Sequence, residues 1–427
     1  EIQFRSQPTH GVTSPMQWKC RSDQLLVLTL RPMVRIAVVG AGISGAALVK
    51  YLSRHCNERV AADGLDISLF ERRPTPDGPD GGALVIQGEG LEVLADFGFT
   101  NLLDGGLAGA SQLVVMRDAL MKLLLERGDD CVQCRFNTEI VDVRESHAGV
   151  ELDHRPLFTF HDGAWAKNDD PEMSTETFDL VIGADGNAPS SCVAKSMVGL
   201  EKAHARPIAM LMLQALVPHG SDRGRQADRD AYLRQGVHGI VGKLSTNSAM
   251  GLTSSSASPV LQPWQVCTVM RMLADPMRSF PRPASWAELM KESALQCTDE
   301  ALQSEALAII ERAAAVEGSG RLHAWVPFRK DALDCWWSPG GRLVLMGDAA
   351  HLMAPTKGWG ANCALGDARK LSEVLLFFME SGLLTASAMP EQWRELGGQQ
   401  FEDERRKSVA PMVSASIAEA RKIVGRV

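Results

Sequence analysis

A glycine-rich turn between a hydrophobic run and a helical pattern constrains this chain more than any other feature of its sequence. Residues 34–39 form a short β-branched run, Gly40-Ala41-Gly42-Ile43-Ser44-Gly45 has the spacing G-x-G-x-x-G, and residues 43–54 carry apolar side chains at helical spacing. In such a turn the first glycine permits the sharp bend, the second leaves room for a pyrophosphate, and the third lets helix and strand approach closely. The sequence therefore predicts a dinucleotide-binding βαβ unit.

An acid stands at the end of the next predicted strand. The apolar run over residues 67–70 ends at Glu71, after a polar stretch over 55–66 that reads as a loop. A carboxylate at this position hydrogen-bonds the ribose hydroxyls of an adenosine. Arg72 and Arg73 follow and are compatible with a 2′-phosphate, but the carboxylate would repel that phosphate, so an unphosphorylated ribose is favoured. A solvated charge cluster is the alternative interpretation of Glu71 and of the two arginines.

Two later segments have the same form, a buried strand that ends in an acid. Residues 178–182 lead into Gly183-Ala184-Asp185-Gly186, and residues 342–346 lead into Gly347-Asp348. Ligands of open α/β sheets bind at the carboxyl ends of the strands, so both acids are expected at one sheet edge. The second segment runs through a loop with Pro355 and several glycines into a helix predicted over residues 360–380. The N-terminus of such a helix favours negative charge.

These three segments resemble the FAD-dependent aromatic-ring hydroxylase family, the p-hydroxybenzoate hydroxylase-like flavin monooxygenases. The motifs are G-x-G-x-x-G, Gly-Ala-Asp-Gly and Gly-Asp-Ala-Ala-His-x-x-x-Pro-x-x-Gly-x-Gly-x-Asn, in this order and at wide separation. The resemblance implies FAD as cofactor, NADPH or NADH as reductant, and insertion of one oxygen atom from O₂ into a small apolar or aromatic substrate through a flavin C4a-hydroperoxide. Another FAD-dependent oxidoreductase, or an FAD-binding protein with impaired catalysis, is the alternative.

The resemblance also implies which residues hold the cofactor. The pyrophosphate would lie against the glycine-rich turn, the adenosine ribose against Glu71 and the ribityl–pyrophosphate region against Asp348. Arg117, which stands before a predicted helix, resembles an arginine on the flavin side, and Asp185 resembles a residue that contacts both FAD and NAD(P)H. The predicted cofactor site comprises Gly40, Gly42, Ile43, Ser44, Gly45, Glu71, Arg72, Arg117, Asp185, Gly347, Asp348, Pro355, Gly358, Gly360, Ala361 and Asn362.

No catalytic acid or base is singled out, because the cofactor itself supplies the oxygen chemistry. Pro355 and Gly358 are expected beside the flavin ring. His351 is a tempting general base, but its place within the motif favours a residue that shapes the loop by packing and hydrogen bonding.

Two departures from the family pattern bear on activity. The interval from Gly98 to Arg117 is shorter than is usual in the family, which removes chain from the substrate side. After Asp185-Gly186 the family continues x-x-Ser-x-Val-Arg, whereas residues 187–194 are longer and lack that arginine. NAD(P)H handling is the function that this second departure touches.

The fold class expected from these patterns is α/β, a Rossmann-like FAD-binding domain with an interleaved, mostly antiparallel β-sheet substrate lobe and a C-terminal helical region. Residues 1–32 are interpreted as a poorly ordered extension and residues 33–202 as the first part of the FAD-binding domain. Residues 203–330, where short apolar segments alternate with Gly, Ser and Pro, form the substrate-binding lobe. Residues 331–427 return to the FAD-binding domain and end in helices.

Composition narrows the class of partner. A formal net charge of −8 would repel nucleic acid and anionic lipid, so the expected partners are a small-molecule substrate and O₂, in a monomer or homodimer. The nine cysteines are scattered through the chain, which indicates a reducing compartment such as the cytoplasm. Cys131 and Cys134 have C-x-x-C spacing, but the sequence lacks the further ligands of a zinc site, so no metal is predicted. The longest apolar runs fall far short of the roughly 20 residues of a transmembrane helix, so none is expected.

Overall fold

The structure is a computed structural model, and it describes residues 17–19, 25–27, 34–58, 65–76, 82–99, 112–126, 132–161, 164–186, 191–218, 229–234, 241–252, 261–273, 280–315, 321–381 and 393–424. The described α-helices are Ile43–Glu58, Glu89–Asp96, Arg117–Leu125, Cys192–Val198, Leu200–Ala203, Trp286–Ala294, Glu300–Ala314, Asp348–His351, Gly360–Glu380 and Gln399–Val424. Two 3-10 turns, Pro283–Ser285 and Pro355–Lys357, and a π-helical segment, Trp393–Gly398, complete the helical elements.

A five-stranded parallel sheet carries the predicted motifs. Its strands run in the order Leu343–Leu345, Leu180–Gly183, Val34–Val39, Leu65–Phe70 and Val132–Arg135. The inner strands are largely buried on both faces, which explains why most of their residues are apolar. The pairing register places Leu345, Gly183, Val39 and Phe70 in one row, so four strands end at the same edge.

A seven-stranded sheet forms the second layer. Along the sheet the strands are Arg321–Trp325, Met210–Pro218, Leu261–Met272, Val241–Leu252, Gln112–Met116 and Ala83–Gln87, and Arg229–Arg234 pairs with Val241–Leu252. All of these pairs are antiparallel except Val241–Leu252 with Gln112–Met116. One face of the sheet packs on the helices Trp286–Ala294 and Glu300–Ala314 through a core that includes Leu213, Val269 and Ile310. The opposite face of the seven-stranded sheet is directed toward the parallel sheet.

Smaller sheets surround these two layers. The strands Thr138–Glu145, Val150–Pro156 and Ser174–Phe178 form an antiparallel three-stranded sheet. Three two-stranded pairs, all antiparallel, are Gln17–Lys19 with Leu25–Val27, Phe158–His161 with Ala164–Lys167, and Arg206–Pro207 with Phe328–Arg329.

The predicted fold class is confirmed by this architecture. The domain division at residues 203 and 330 stays a prediction; the strands Ala83–Gln87 and Gln112–Met116, which precede it, belong to the seven-stranded sheet. Of the predicted extension over residues 1–32, only one strand pair lies within the described residues. Most of the short interval from Gly98 to Arg117 also lies outside them.

Candidate functional site

A cleft of about 1080 Å³ lies where the carboxyl edge of the parallel sheet meets the free face of the seven-stranded sheet. Ordinary small-molecule pockets measure roughly 300–1,000 Å³, so the volume of this cleft is at the upper end of that range and suits an extended ligand. The predicted cofactor residues that line it are Gly40, Gly42, Ile43, Ser44, Glu71, Arg72, Arg117, Asp185, Asp348, Pro355, Gly358, Gly360 and Ala361. Five separate stretches of chain therefore meet at one site.

The three glycines of the first turn differ in what surrounds them. Gly40 has φ +105°, and a Cβ there would lie 2.3 Å from the Ala184 carbonyl oxygen. A Cβ on Gly45 would lie 2.0 Å from the Gly40 carbonyl oxygen, so these two glycines are required by the packing of the protein itself. A Cβ on Gly42 would find its nearest protein atom at 3.9 Å. The space beside Gly42 therefore belongs to the cleft.

Glu71 is held in place by the turn that it faces. One carboxylate oxygen accepts the Ala41 N–H at 2.9 Å, and the other accepts the Arg73 N–H at 2.9 Å and the Arg73 Nε at 3.1 Å. The residue is 8% exposed and lines the cleft. A carboxylate has about four acceptor positions, so Glu71 retains capacity for ribose hydroxyls. Arg73 is tied to this cluster, whereas Arg72 is exposed on the cleft wall.

Asp185 faces the cleft from the end of its strand and also caps a helix. Its carboxylate accepts the Ser191 hydroxyl and, at 2.6 Å, the Cys192 N–H, at the start of the helix Cys192–Val198. Burial raises the pKa of this carboxyl, and these hydrogen bonds act in the opposite direction. Cys192 also lines the cleft, and burial followed by the charge of Asp185 raises the pKa of its thiol to about 12.

Asp348 begins a short helix at the neighbouring strand end. The residue before it, Gly347, has φ +57°, and a Cβ there would lie 2.7 Å from the Ser44 hydroxyl oxygen. The loop therefore packs directly on the glycine-rich turn. Burial raises the pKa of Asp348, while electrostatic interactions with His351, Lys330 and Arg117 act in the opposite direction.

His351 does not line the cleft but lies in a buried ion-pair network behind it. Its Nε2 is 2.6 Å from Asp367 Oδ2, which also accepts the Gly347 N–H at 2.7 Å. Arg405 donates to Asp367 Oδ1 at 2.8 Å and to the Glu89 carboxylate at 2.8 Å. The network therefore fixes the loop that presents Asp348, which agrees with the loop-shaping role expected of His351.

Three predicted cofactor residues are placed behind the cleft rather than on its wall. Gly45 and Gly347 serve the close packing described above. Asn362 donates from its side chain to the Val85 carbonyl at 2.9 Å and to the Gly358 carbonyl at 2.8 Å, and it accepts the Gln87 N–H at 2.7 Å. Its side chain thus joins the helix Gly360–Glu380 to the edge of the seven-stranded sheet. A direct contact of Asn362 with the cofactor stays a prediction.

The opposite wall of the cleft was missed by sequence reasoning. Two cross-strand rows face the cleft: a polar row, Thr268–Gln214–His323, and an apolar row, Met270–Met212–Trp325. Gln214 accepts the Ala83 N–H at 2.9 Å and donates to the Thr268 hydroxyl at 3.2 Å, while the rings of His323 and Trp325 lie 5.1 Å apart. The sequence feature that could have indicated this wall is Gln214, a single glutamine in the otherwise apolar strand Met210–Pro218.

These residues fit FAD. The open space at Gly42, the N–H groups at the start of the helix Ile43–Glu58 and the positive end of that helix suit a pyrophosphate. Glu71 suits a ribose, and Asp348 and Arg117 line the same cleft. The N-terminus of Gly360–Glu380 borders the cleft near Pro355 and Gly358, where it favours negative charge on a ligand.

Comparison with known proteins agrees with this fit. The FAD binding domain family matches residues 33–386. Kynurenine 3-monooxygenase of Salinispora arenicola is 25% identical over 371 residues, which cover 80% of this chain and 72% of that protein. The crystal structure of CtdE in complex with FAD superposes with a TM-score of 0.61 at 16% identity, covering 91% of this chain and 94% of that one. Klebsiella pneumoniae HpxO complexed with FAD and uric acid gives 0.60 at 17% identity, covering 92% and 89%.

The chain therefore belongs to the FAD binding domain family. The expectation of an FAD-dependent monooxygenase is confirmed at the level of the enzyme class, since the relatives that match over most of the chain are monooxygenases by name. Among the described residues, no helix is both long and apolar enough to cross a membrane. Cys131 lies outside the described residues, and Cys134 stands in the strand Val132–Arg135.

Proposed function

We propose that this enzyme reduces its FAD with NADPH or NADH and inserts one oxygen atom from O₂ into a small apolar or aromatic organic substrate. The main support is that one cleft joins two chemically different walls. The glycine-rich turn and the acids at the sheet edge suit the dinucleotide. The rows Met270–Met212–Trp325 and Thr268–Gln214–His323 suit a compact, mostly apolar molecule with a few polar groups. A substrate on the second wall shares the cavity of the cofactor.

In this proposal the residues of the chain bind, orient and exclude water. FAD supplies the redox and oxygen-transfer chemistry when it is bound. Glu71 and Asp348 would hold the dinucleotide at the sheet edge, and Pro355 and Gly358, which line the same cleft, would border its flavin end. The side chains of Met212, Met270 and Trp325 keep water from the substrate end, which strengthens electrostatic interactions there and suppresses side reactions.

An FAD-binding protein with impaired catalysis is the second candidate, and Asp185 supports it. The carboxylate that resembles an NAD(P)H contact is engaged by the Ser191 hydroxyl and the Cys192 N–H. In this candidate FAD is bound, but reduction by NAD(P)H is slow and does not respond to substrate.

The two candidates are separated by measuring NADPH and NADH oxidation together with O₂ uptake by the FAD-loaded protein. A panel of phenols, aromatic acids and heteroaromatic compounds provides candidate substrates, and isotopically labelled O₂ identifies the oxygen that enters a product. The monooxygenase proposal requires at least one compound that stimulates NAD(P)H oxidation and gains one labelled oxygen atom. Bound FAD with no stimulation by any compound, and with reduction too slow for turnover, would instead support the impaired protein.

A further inference from the structure

Methionine side chains line the cleft, and the functions above give their sulfur atoms no role. Among the described residues, the methionines that line it are Met212, Met270 and Met353. Met212 and Met270 are cross-strand partners on the free face of the seven-stranded sheet. Met353 lies in the loop between the helix Asp348–His351 and Pro355. The cleft therefore has thioether side chains on two separate parts of the fold.

Packing places these methionines at the end of the cleft that Pro355 borders, which is the flavin end in the proposed function. Met212 and Met270 belong to one buried apolar cluster with Ala354, the residue before Pro355. A Cβ on Gly360, at the start of the helix Gly360–Glu380, would lie 3.9 Å from Met353 Cγ. An oxidant that forms at this end of the cleft therefore meets the three methionines first.

Reduced flavin and O₂ generate such an oxidant when no substrate is present. The reaction transfers two electrons and two protons from bound reduced FAD to O₂ and releases hydrogen peroxide. Peroxide converts a methionine thioether to a sulfoxide: a sulfur–oxygen bond forms, the O–O bond breaks and water leaves. The three methionines are at most 5% exposed, so peroxide in bulk solvent reaches them less easily than peroxide released inside the cleft.

We propose that Met212, Met270 and Met353 are modification sites, which are oxidised to sulfoxides by hydrogen peroxide released in the cleft when reduced FAD reacts with O₂ without a substrate. The inference rests on the proposed position of FAD in this cleft. It requires neither NAD(P)H nor oxygen transfer to a substrate. A sulfoxide is polar, so the modification makes the row Met270–Met212–Trp325 less suited to an apolar molecule.

The test uses the FAD-loaded protein in the dark, where flavin does not act as a photosensitiser. The protein is reduced with dithionite without O₂, desalted, and mixed with aerated buffer that contains catalase, which removes peroxide that escapes into solution. After repeated cycles, peptide mass spectrometry measures the oxygen gained at each methionine. We expect the three cleft methionines to be oxidised severalfold faster than the other methionines. Apoprotein taken through the same cycles should remain unmodified.

Two methionines away from the cleft provide internal controls. Met173 precedes the strand Ser174–Phe178 and is 48% exposed. Met290, in the helix Trp286–Ala294, is fully buried on the other face of the seven-stranded sheet. When hydrogen peroxide is instead added to protein with oxidised FAD, Met173 should be modified first. Met290 should stay unmodified in both experiments.

Leucine variants test the same sites. Met212→Leu with Met270→Leu nearly conserves side-chain volume and removes two thioethers, so it should lower the total oxygen gained per cycle. Met290→Leu is the matched control and should leave that total unchanged. The comparison of sites within the wild type decides the question even if a variant does not fold.

Three results would overturn the inference: unmodified cleft methionines after the cycles, oxidation of Met173 at an equal rate in the presence of catalase, or the same order of sites with added peroxide. FAD loading is verified beforehand by the visible spectrum, and a protein that takes up no FAD would refute this inference and the proposed function together. If FAD is bound, the sites of sulfoxide formation and the labelled oxygen in a product are independent measurements, so either proposal can fail while the other holds.

Discussion

Gly45 and Gly42 belong to one motif, but their substitution by alanine should affect different properties, the stability of the protein and its affinity for FAD respectively. The Cβ of Gly45→Ala would lie 2.0 Å from the backbone oxygen of Gly40, where contacts under 3.0 Å are essentially never seen. Overpacking costs about 1–3 kcal/mol, and an alanine in a helix returns about 0.5–1 kcal/mol. Because the overlapping atom belongs to a fixed turn, we expect a net loss of about 2 kcal/mol in the unfolding free energy of the apoprotein.

Gly42→Ala is the companion variant. Its Cβ would meet its nearest protein atom at 3.9 Å, which is ordinary contact, so the apoprotein should keep its unfolding free energy within about 0.5 kcal/mol. The methyl group enters the space assigned to the pyrophosphate, and the Kd for FAD should rise at least about tenfold, equivalent to 1.4 kcal/mol.

Urea unfolding of the two apoproteins and titration with FAD measure these quantities separately. The reasoning requires Gly45→Ala to lower the unfolding midpoint more than Gly42→Ala, and Gly42→Ala to lose affinity at unchanged stability. Equal destabilisation by both substitutions, or wild-type FAD affinity in Gly42→Ala, would show that the pyrophosphate does not bind beside Gly42.

Further predictions concern the buried network and the substrate wall. Arg405→Met leaves the Asp367 carboxylate buried without its 2.8 Å partner, and urea unfolding should show a loss of about 3 kcal/mol; a loss below about 1 kcal/mol would contradict the role of the pair. Burial alone would raise the pKa of Asp367, but His351 and Arg405 hold it at about 2, below its unfolded value. The stability that it contributes is therefore present above about pH 4 and lost as the pH falls toward 2, and in Arg405→Met this acid loss should begin at higher pH. Trp325→Ala should raise KM for an identified substrate about tenfold through lost apolar contact and leave the FAD Kd unchanged; a matching loss of FAD affinity would mean that Trp325 faces the cofactor instead.

The parallel sheet was predictable because its strands are buried on both faces. Val34–Val39 is apolar except for Arg35, and Leu180–Gly183 is an apolar run. A glycine-rich turn follows the first strand, and glycine and an acid follow the second. The helix Gly360–Glu380 has the predicted bounds. Such local signals also placed Glu71, Asp185 and Asp348 at one edge.

The substrate wall could not be read in the same way. In Met210–Pro218 almost every side chain is apolar on both faces, since one face packs on helices and the other lines the cleft, so no alternation marks the inner residues. Ala83–Gln87 is short and its pairing partner lies nearly thirty residues on, beyond any local pattern. Arg405 meets Glu89 across 316 residues, a contact that only the folded chain reveals.

The edge strand Leu343–Leu345 has a consequence for biosynthesis. It is the last of the five parallel strands to leave the ribosome, yet it sits beside Leu180–Gly183 and delivers Asp348. A nascent chain that ends before this strand has the glycine-rich turn and Glu71 but lacks Asp348. Because the proposed FAD site draws on both regions, flavin capture should be a late event in maturation.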